Sequence, residues 1–284
     1  MLIVVGFTIS LNSGFFNLGL DGQFLLGATV TTFIALNLDI PTLFVLPLLC
    51  LASCLAGAAY ALLPAYMKVK LGVNEILTTL MMNFIATYLV SYIVLGPLKY
   101  SPTGESWEQN ILPITDSIPL SARLPRLFPS PGIRLNAGIL IAVLIIFLAY
   151  ILMEKTTIGY KIKCTGKNPN AAFCAGVNVS KVTCLAVGLS GALCGLAGMV
   201  EVTGNTYRLS TQFLTGIGNI AVLVSILGRK HMLGVVATSF LASALTCGAE
   251  FLQRSMGIPS YIVNIILSIV ILILITLQTY ERGK

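Results

Sequence analysis

Long apolar runs separated by short polar stretches dominate this chain. The runs fall at about 1–13, 23–36, 42–66, 74–96, 137–153, 183–203, 213–228, 232–252 and 259–279. Several match the twenty or so residues that an α-helix needs to cross about 30 Å of hydrocarbon. Strands of a membrane barrel would be shorter and would alternate. The pattern predicts an all-α, polytopic integral membrane protein, one domain over 1–284, with about eight or nine transmembrane or re-entrant helices. The first, second and seventh runs are short for a full crossing. Broken or re-entrant helices are expected there, shielded by protein or lining a cavity.

Composition agrees with a lipid solvent. The 284 residues are 56% hydrophobic and only 10% charged, with mean hydropathy +0.93. A soluble domain is nearer 25% charged. The net charge of +7 therefore reports topology, not nucleic-acid binding. Lys68, Lys70, Lys155, Lys161, Lys163, Lys167, Lys181, Arg229, Lys230, Arg282 and Lys284 fall on one side if the spans alternate, and they make up eleven of the 17 basic residues. That side is assigned to the cytoplasm. Residues 97–135 then form an outer loop, with seven of the 12 prolines and the single Trp107. It reads either as a docking surface for an external binding protein or as a stiff lid anchored by Trp107. Residues 155–182 form a cytoplasmic loop. Counting back puts Met1 outside, so one upstream helix is expected to be absent from this chain.

The seven cysteines form no CxxC pair, and His231 is the only histidine. No metal site is expected. No GxxxxGK[ST] phosphate loop occurs, and HExxH and GxSxG are absent. Any ATP must be bound and hydrolysed on another chain, and no cofactor is expected here.

Three segments carry candidate chemistry. In GFFNLGLDGQFLLGA, Gly14 to Ala28, the glycines allow a bend and close approach. Asn17, Asp21 and Gln23 add polar groups that lipid would penalise. An ionised aspartate at the bilayer centre costs at least about 2.5–3.5 kcal/mol. Asp21 should therefore face a wet cavity, a helix N-terminus, a partner, or a turn near the cytoplasmic interface. From Asn74, a long helix carries Glu75, Thr79, Asn83, Thr87 and Ser91 at four-residue spacing. That stripe is a pathway wall or a row of interhelical hydrogen bonds. Asn264 and Ser268 form a shorter stripe. In KIKCTGKNPNAAFCAGVNVSK, Asn168 can cap a helix that Pro169 starts and Gly176 ends. Phe173 is its one bulky apolar side chain, a handle for a soluble partner or a foot in lipid. Gly191 and Gly195 form a GxxxG pair suited to close packing.

Five ordered segments together resemble one family. FNLGLDGQFLLGA, GVNEILTTLMMNFIATYLV, TIGYKIKCTGKNPNAAFCAGVNVSKV, GIGNIAVLVSILGR and GIPSYIVNIILSIVILI are similar to signatures of the ribose and branched-chain amino acid permeases of ABC importers, in the nucleoside and simple-sugar subgroup. Asp21 stands where glutamate is commoner, Met232 where proline is, and Asn170 where an acid precedes the paired Ala171 and Ala172. The resemblance implies a membrane permease in the cytoplasmic membrane that works by alternating access. It also implies a second permease, a homologue distinct in sequence, a cytoplasmic ATP-binding subunit and an external substrate-binding lipoprotein. Asn17, Asp21, Gln23, Glu75, Thr79, Asn83, Thr87, Asn264 and Ser268 are the expected substrate-pathway residues. Asn168, Pro169, Ala171, Ala172, Phe173 and Gly176 are the expected ATPase-coupling residues. The competing readings are a secondary transporter or channel for a small polar solute, and an intramembrane enzyme. The first would need coupling ionisable groups, for which only Asp21, Glu75, Glu201 and Glu250 are candidates.

Overall fold

The computed structural model describes residues 1–38, 41–99, 113–127, 136–211, 213, 216–228, 231–256 and the single positions 265, 269 and 273. Trp107, Arg229, Lys230, Asn264, Ser268 and nearly all of the last apolar run lie outside the described residues. Among those described, the chain is helical, with isolated β-bridges in place of strands. The helices are α1 (Leu2–Asn12), α2 (Leu20–Asn37), α3 (Thr42–Leu71), α4 (Glu75–Leu95), α5 (Gly138–Lys155), α6 (Thr157–Lys167), α7 (Pro169–Cys174), α8 (Val179–Glu201), α9 (Ile217–Leu227) and α10 (Met232–Met256).

Four helical stretches are long and apolar enough to cross a membrane, over Phe44–Leu71, Glu75–Leu95, Gly138–Lys155 and Val179–Thr206. α1 and α9 are shorter. Each has 11 residues, so each rises about 16 Å, roughly half a hydrocarbon core. The second apolar run departs from expectation. α2 is one unbroken helix of 18 residues, and the break precedes it, over 13–19. Gly14 turns the chain there with φ +83°, a conformation only glycine adopts cheaply.

The centre of the fold is a backbone-to-backbone seam between α2, α3 and α8. A Cβ built on Gly195 would lie 2.1 Å from the Ser53 carbonyl oxygen, and one on Gly57 2.2 Å from that of Gly191. One on Gly27 would meet the Gly195 Cα at 2.3 Å, and one on Gly198 the Phe24 carbonyl at 2.3 Å. Such separations exist only because these positions lack side chains. Close packing substitutes for the hydrophobic effect, which lipid does not supply between helices. Around the seam, exposed leucine and phenylalanine cover the outer faces of α3, α4, α5 and α10, among them Leu55, Phe84, Phe147 and Phe240.

The two polar loops sit at opposite ends of α8. α6 and α7 precede its start, and Gly166 of α6 lies against the backbone of Asn12 and Gly14. At the other end α8 passes into a π-helical turn, Val202–Thr206. Residues 113–126 fold back onto that turn. The Ile118 amide donates to the Tyr207 carbonyl at 3.0 Å and the Leu124 amide to that of Thr203 at 3.0 Å. Arg123 lies 4.6 Å above the Tyr207 ring, and Asn136 donates to the Gly204 carbonyl at 2.8 Å. Ile118 and Ala122 are fully buried, so the described part of the loop is a packed cap.

Candidate functional site

The break before α2 is held by side chains that bond to one another. Asn17 and Gln23 exchange amide hydrogen bonds, each 3.1 Å long. The Asn17 side-chain Oδ1 also accepts from the Gly19 amide at 3.0 Å, and its Nδ2 donates to Ser190 Oγ of α8 at 3.2 Å. Both amides are essentially inaccessible. Neither could stay in an apolar interior unpaired, since an orphaned polar group costs about 1–3 kcal/mol. The unwound backbone thus has its own internal partners.

α4 supplies the second hold. Asn74 caps it, accepting from the Ile76 amide at 2.9 Å. Its polar stripe lies on the side turned toward α2, with Thr79 and Ala86 fully buried. Thr79 Oγ1 accepts from the Leu18 amide at 3.2 Å. Asn83 bridges the break, donating to the Leu18 carbonyl at 2.7 Å and accepting from the Gly22 amide at 2.8 Å. Thr87 and Ser91 instead bond carbonyls of their own helix, Asn83 and Thr87, both at 2.9 Å. Glu75 stands about 12 Å down the helix from Asn83, paired with Lys68 at 2.5 Å. So the structure gathers Asn17, Gln23, Thr79 and Asn83 into one cluster and leaves Glu75 and Thr87 outside it. Asn83→Leu removes two bonds and leaves the Leu18 carbonyl without its partner. A loss of about 2–3 kcal/mol is expected, read as a lower thermal midpoint in detergent together with impaired transport. A normal midpoint with normal uptake would show that the bridge does not hold the break.

Asp21 faces a helix N-terminus, one of the four environments its chemistry allows. It lies in the first turn of α2, and its Oδ1 accepts from the Gly218 amide at 2.7 Å. Gly218 is in the first turn of α9, which Gly216 opens with φ +94°. A carboxylate there satisfies an amide that has no helical partner and opposes the positive end of the dipole. Nearby, the rings of Phe24 and Phe213 stack at 5.6 Å. α9 meets α1 through the Thr8 and Ser225 hydroxyls, 2.8 Å apart.

The third element is α7. The Asn168 side chain accepts from the Ala171 amide at 3.1 Å, and Pro169 opens the helix. At its end, the Val177 amide donates to the Ala172 carbonyl at 3.0 Å and the Gly176 amide to that of Phe173 at 2.9 Å. Gly176 has φ +79°, and together these form a Schellman stop. Ala172 is buried against the fold, whereas Phe173 is 72% exposed. Exposed lysines flank it at 161, 167 and 181.

Sequence reasoning missed Ser190 and Gly218 as polar partners. Both sit inside segments that read as apolar or as small-residue packing, and neither had a local signal. Among the described residues no cluster of His, Cys, Asp and Glu could hold a metal ion.

Comparison with known proteins gives consistent relatives. The chain is 34% identical to the glucose ABC transporter permease protein of Haloferax volcanii, over 100% of this chain and 75% of that one. It is 30% identical to a guanosine ABC transporter permease protein of Bacillus subtilis, over 92% of this chain and 73% of that one. A second guanosine ABC transporter permease protein of the same organism is 24% identical, over 92% and 82%. No solved structure matches. Residues 1–276 match the profile of the branched-chain amino acid transport system permease component. This near end-to-end match places the chain in that family of ABC transporter permeases.

Proposed function

We propose that this chain is one of two permease subunits of an ABC importer for nucleosides or simple sugars, embedded in the cell membrane. Its motor is a separate cytoplasmic ATPase, and solute arrives on an external binding protein. The observation that carries the reading is α7. A six-residue helix, locked at both ends by local bonds and presenting one exposed phenylalanine, is built to be gripped. Motion of the motor would pass through residues 168–176 into α8 and α6. The solute class rests on the named substrates of the relatives. A neutral polar solute also suits a fold whose buried polar groups are mostly amides and hydroxyls. A second, distinct permease is supported by the pair of guanosine permeases in one organism.

The test is reconstitution. The chain should copurify with an ATPase and a second permease. In proteoliposomes the complex should take up a nucleoside or a sugar from a panel only when ATP and the binding protein are present. Uptake that persists without ATP would instead indicate a secondary transporter.

A further inference from the structure

α2, α3 and α8 meet backbone to backbone at Gly27, Gly57, Gly191, Gly195 and Gly198. Sliding one past another would drive carbonyls into Cα atoms, so this seam behaves as one body. α4 is tied to it by Asn83 and Thr79. α9 is attached differently. It packs mainly on α1, which itself lies against α8, and on α10, and it touches α2 only sparingly. Its link to α2 is the Asp21 carboxylate on the Gly218 amide, with the Phe24 and Phe213 rings stacked beside it.

These contacts can part without breaking secondary structure. The Gly218 amide lies in the first helical turn, where no intrahelical bond would be lost. Gly218 has no side chain, and a Cβ there would sit 3.1 Å from the Asp21 carboxyl atoms. The carboxylate therefore reaches the helix end through a gap that only glycine leaves.

We propose that Asp21 is a positioning residue whose carboxylate latches α9 to the α2–α3–α8 body in one state of the transport cycle, and that the contact opens in the other. α9 would then move against the α2–α3–α8 body along the Asp21–Gly218 and Phe24–Phe213 line. Small shifts at α6 and α7 would be converted there into a change of access. The inference rests on the importer reading above.

The experiment is cross-linking in the assembled complex. Copurification of the ATPase with the unaltered chain is checked first, and its absence would sink the importer reading itself. Asp21→Cys is then combined with Gly218→Cys, with Cys194, which lies near Asp21, replaced by alanine. Disulfide formation is followed by mass spectrometry of the linked peptides, in the nucleotide-free complex and in the complex trapped with a non-hydrolysable ATP analogue. The yield should differ about tenfold between the two states, the change expected when one conformer dominates in each. The bridge should also arrest uptake, and reduction should restore it. Because this pair removes the carboxylate, Phe24→Cys with Phe213→Cys is run in parallel with a short thiol-specific linker, leaving Asp21 in place. It reports on the same seam if the first pair fails to assemble. Equal yields in both states for the pair that assembles, or uptake unaffected by the link, would overturn the latch and leave the importer reading standing.

Discussion

Gly195→Ala should leave little or no correctly folded protein, while Gly188→Ala should be tolerated. Both changes lie in the interior of α8. In an open helix, each would favour folding by about 1 kcal/mol, because alanine is the better helix former. The surroundings reverse the sign at one site. A Cβ at 195 falls 2.1 Å from the Ser53 carbonyl oxygen and 3.2 Å from the Gly57 Cα, while one at 188 meets only the Leu62 side chain at 3.5 Å. The Ser53 oxygen belongs to a helical backbone and cannot swing aside, so α3 and α8 must separate along the seam. Overpacking of that kind costs about 3 kcal/mol or more. Size-exclusion profiles and thermal midpoints of tagged protein in detergent measure it. If Gly195→Ala matched Gly188→Ala in yield and midpoint, the interlocked seam would not be the core of this fold.

Phe173→Asp should separate ATP hydrolysis from transport, or release the ATPase, while the permease still inserts and pairs. The ring is 72% exposed on a helix otherwise made of small and polar residues. Truncation of a buried anchor of an interface costs about 2 kcal/mol or more, some thirtyfold in affinity. A charge in its place adds a desolvation cost. The competing outcome is that Phe173 dips into lipid. Phe173→Asp would then lower insertion and yield but leave the surviving complex coupled. Gly176→Leu should act in the same direction, since a leucine at φ +79° strains the stop. Cys174, exposed beside Phe173, should react with an impermeant maleimide only from the cytoplasmic side. Normal ATPase stoichiometry and normal uptake in both variants would remove α7 from the mechanism.

The local half of this structure was already present in the sequence. Asn168 and the Gly176 stop act through hydrogen bonds spanning five residues or fewer and Pro169 through its fixed φ, and α7 starts and stops where those rules place it. Asn74 likewise marks the start of α4, and the apolar runs mark the bundle helices. The GxxxG pair announced close packing as well, because a missing Cβ is visible in a sequence. What the sequence left open was always the identity of a distant partner. Asp21 had to face something polar, yet four environments satisfied its chemistry. Only the fold brings the Gly218 amide, 197 residues away, to 2.7 Å. The α4 stripe could have lined a path or tied helices, and tertiary packing tied Thr79 and Asn83 to the break while leaving Thr87 bonded to its own helix. Asn17 and Gln23 read as two polar intrusions, and the fold closes them on each other and on Ser190. Helix caps and glycine conformations are settled within a turn or two of chain, so sequence determines them. The pairing of buried polar groups depends on which helices the whole chain brings together, so only the tertiary structure decides it.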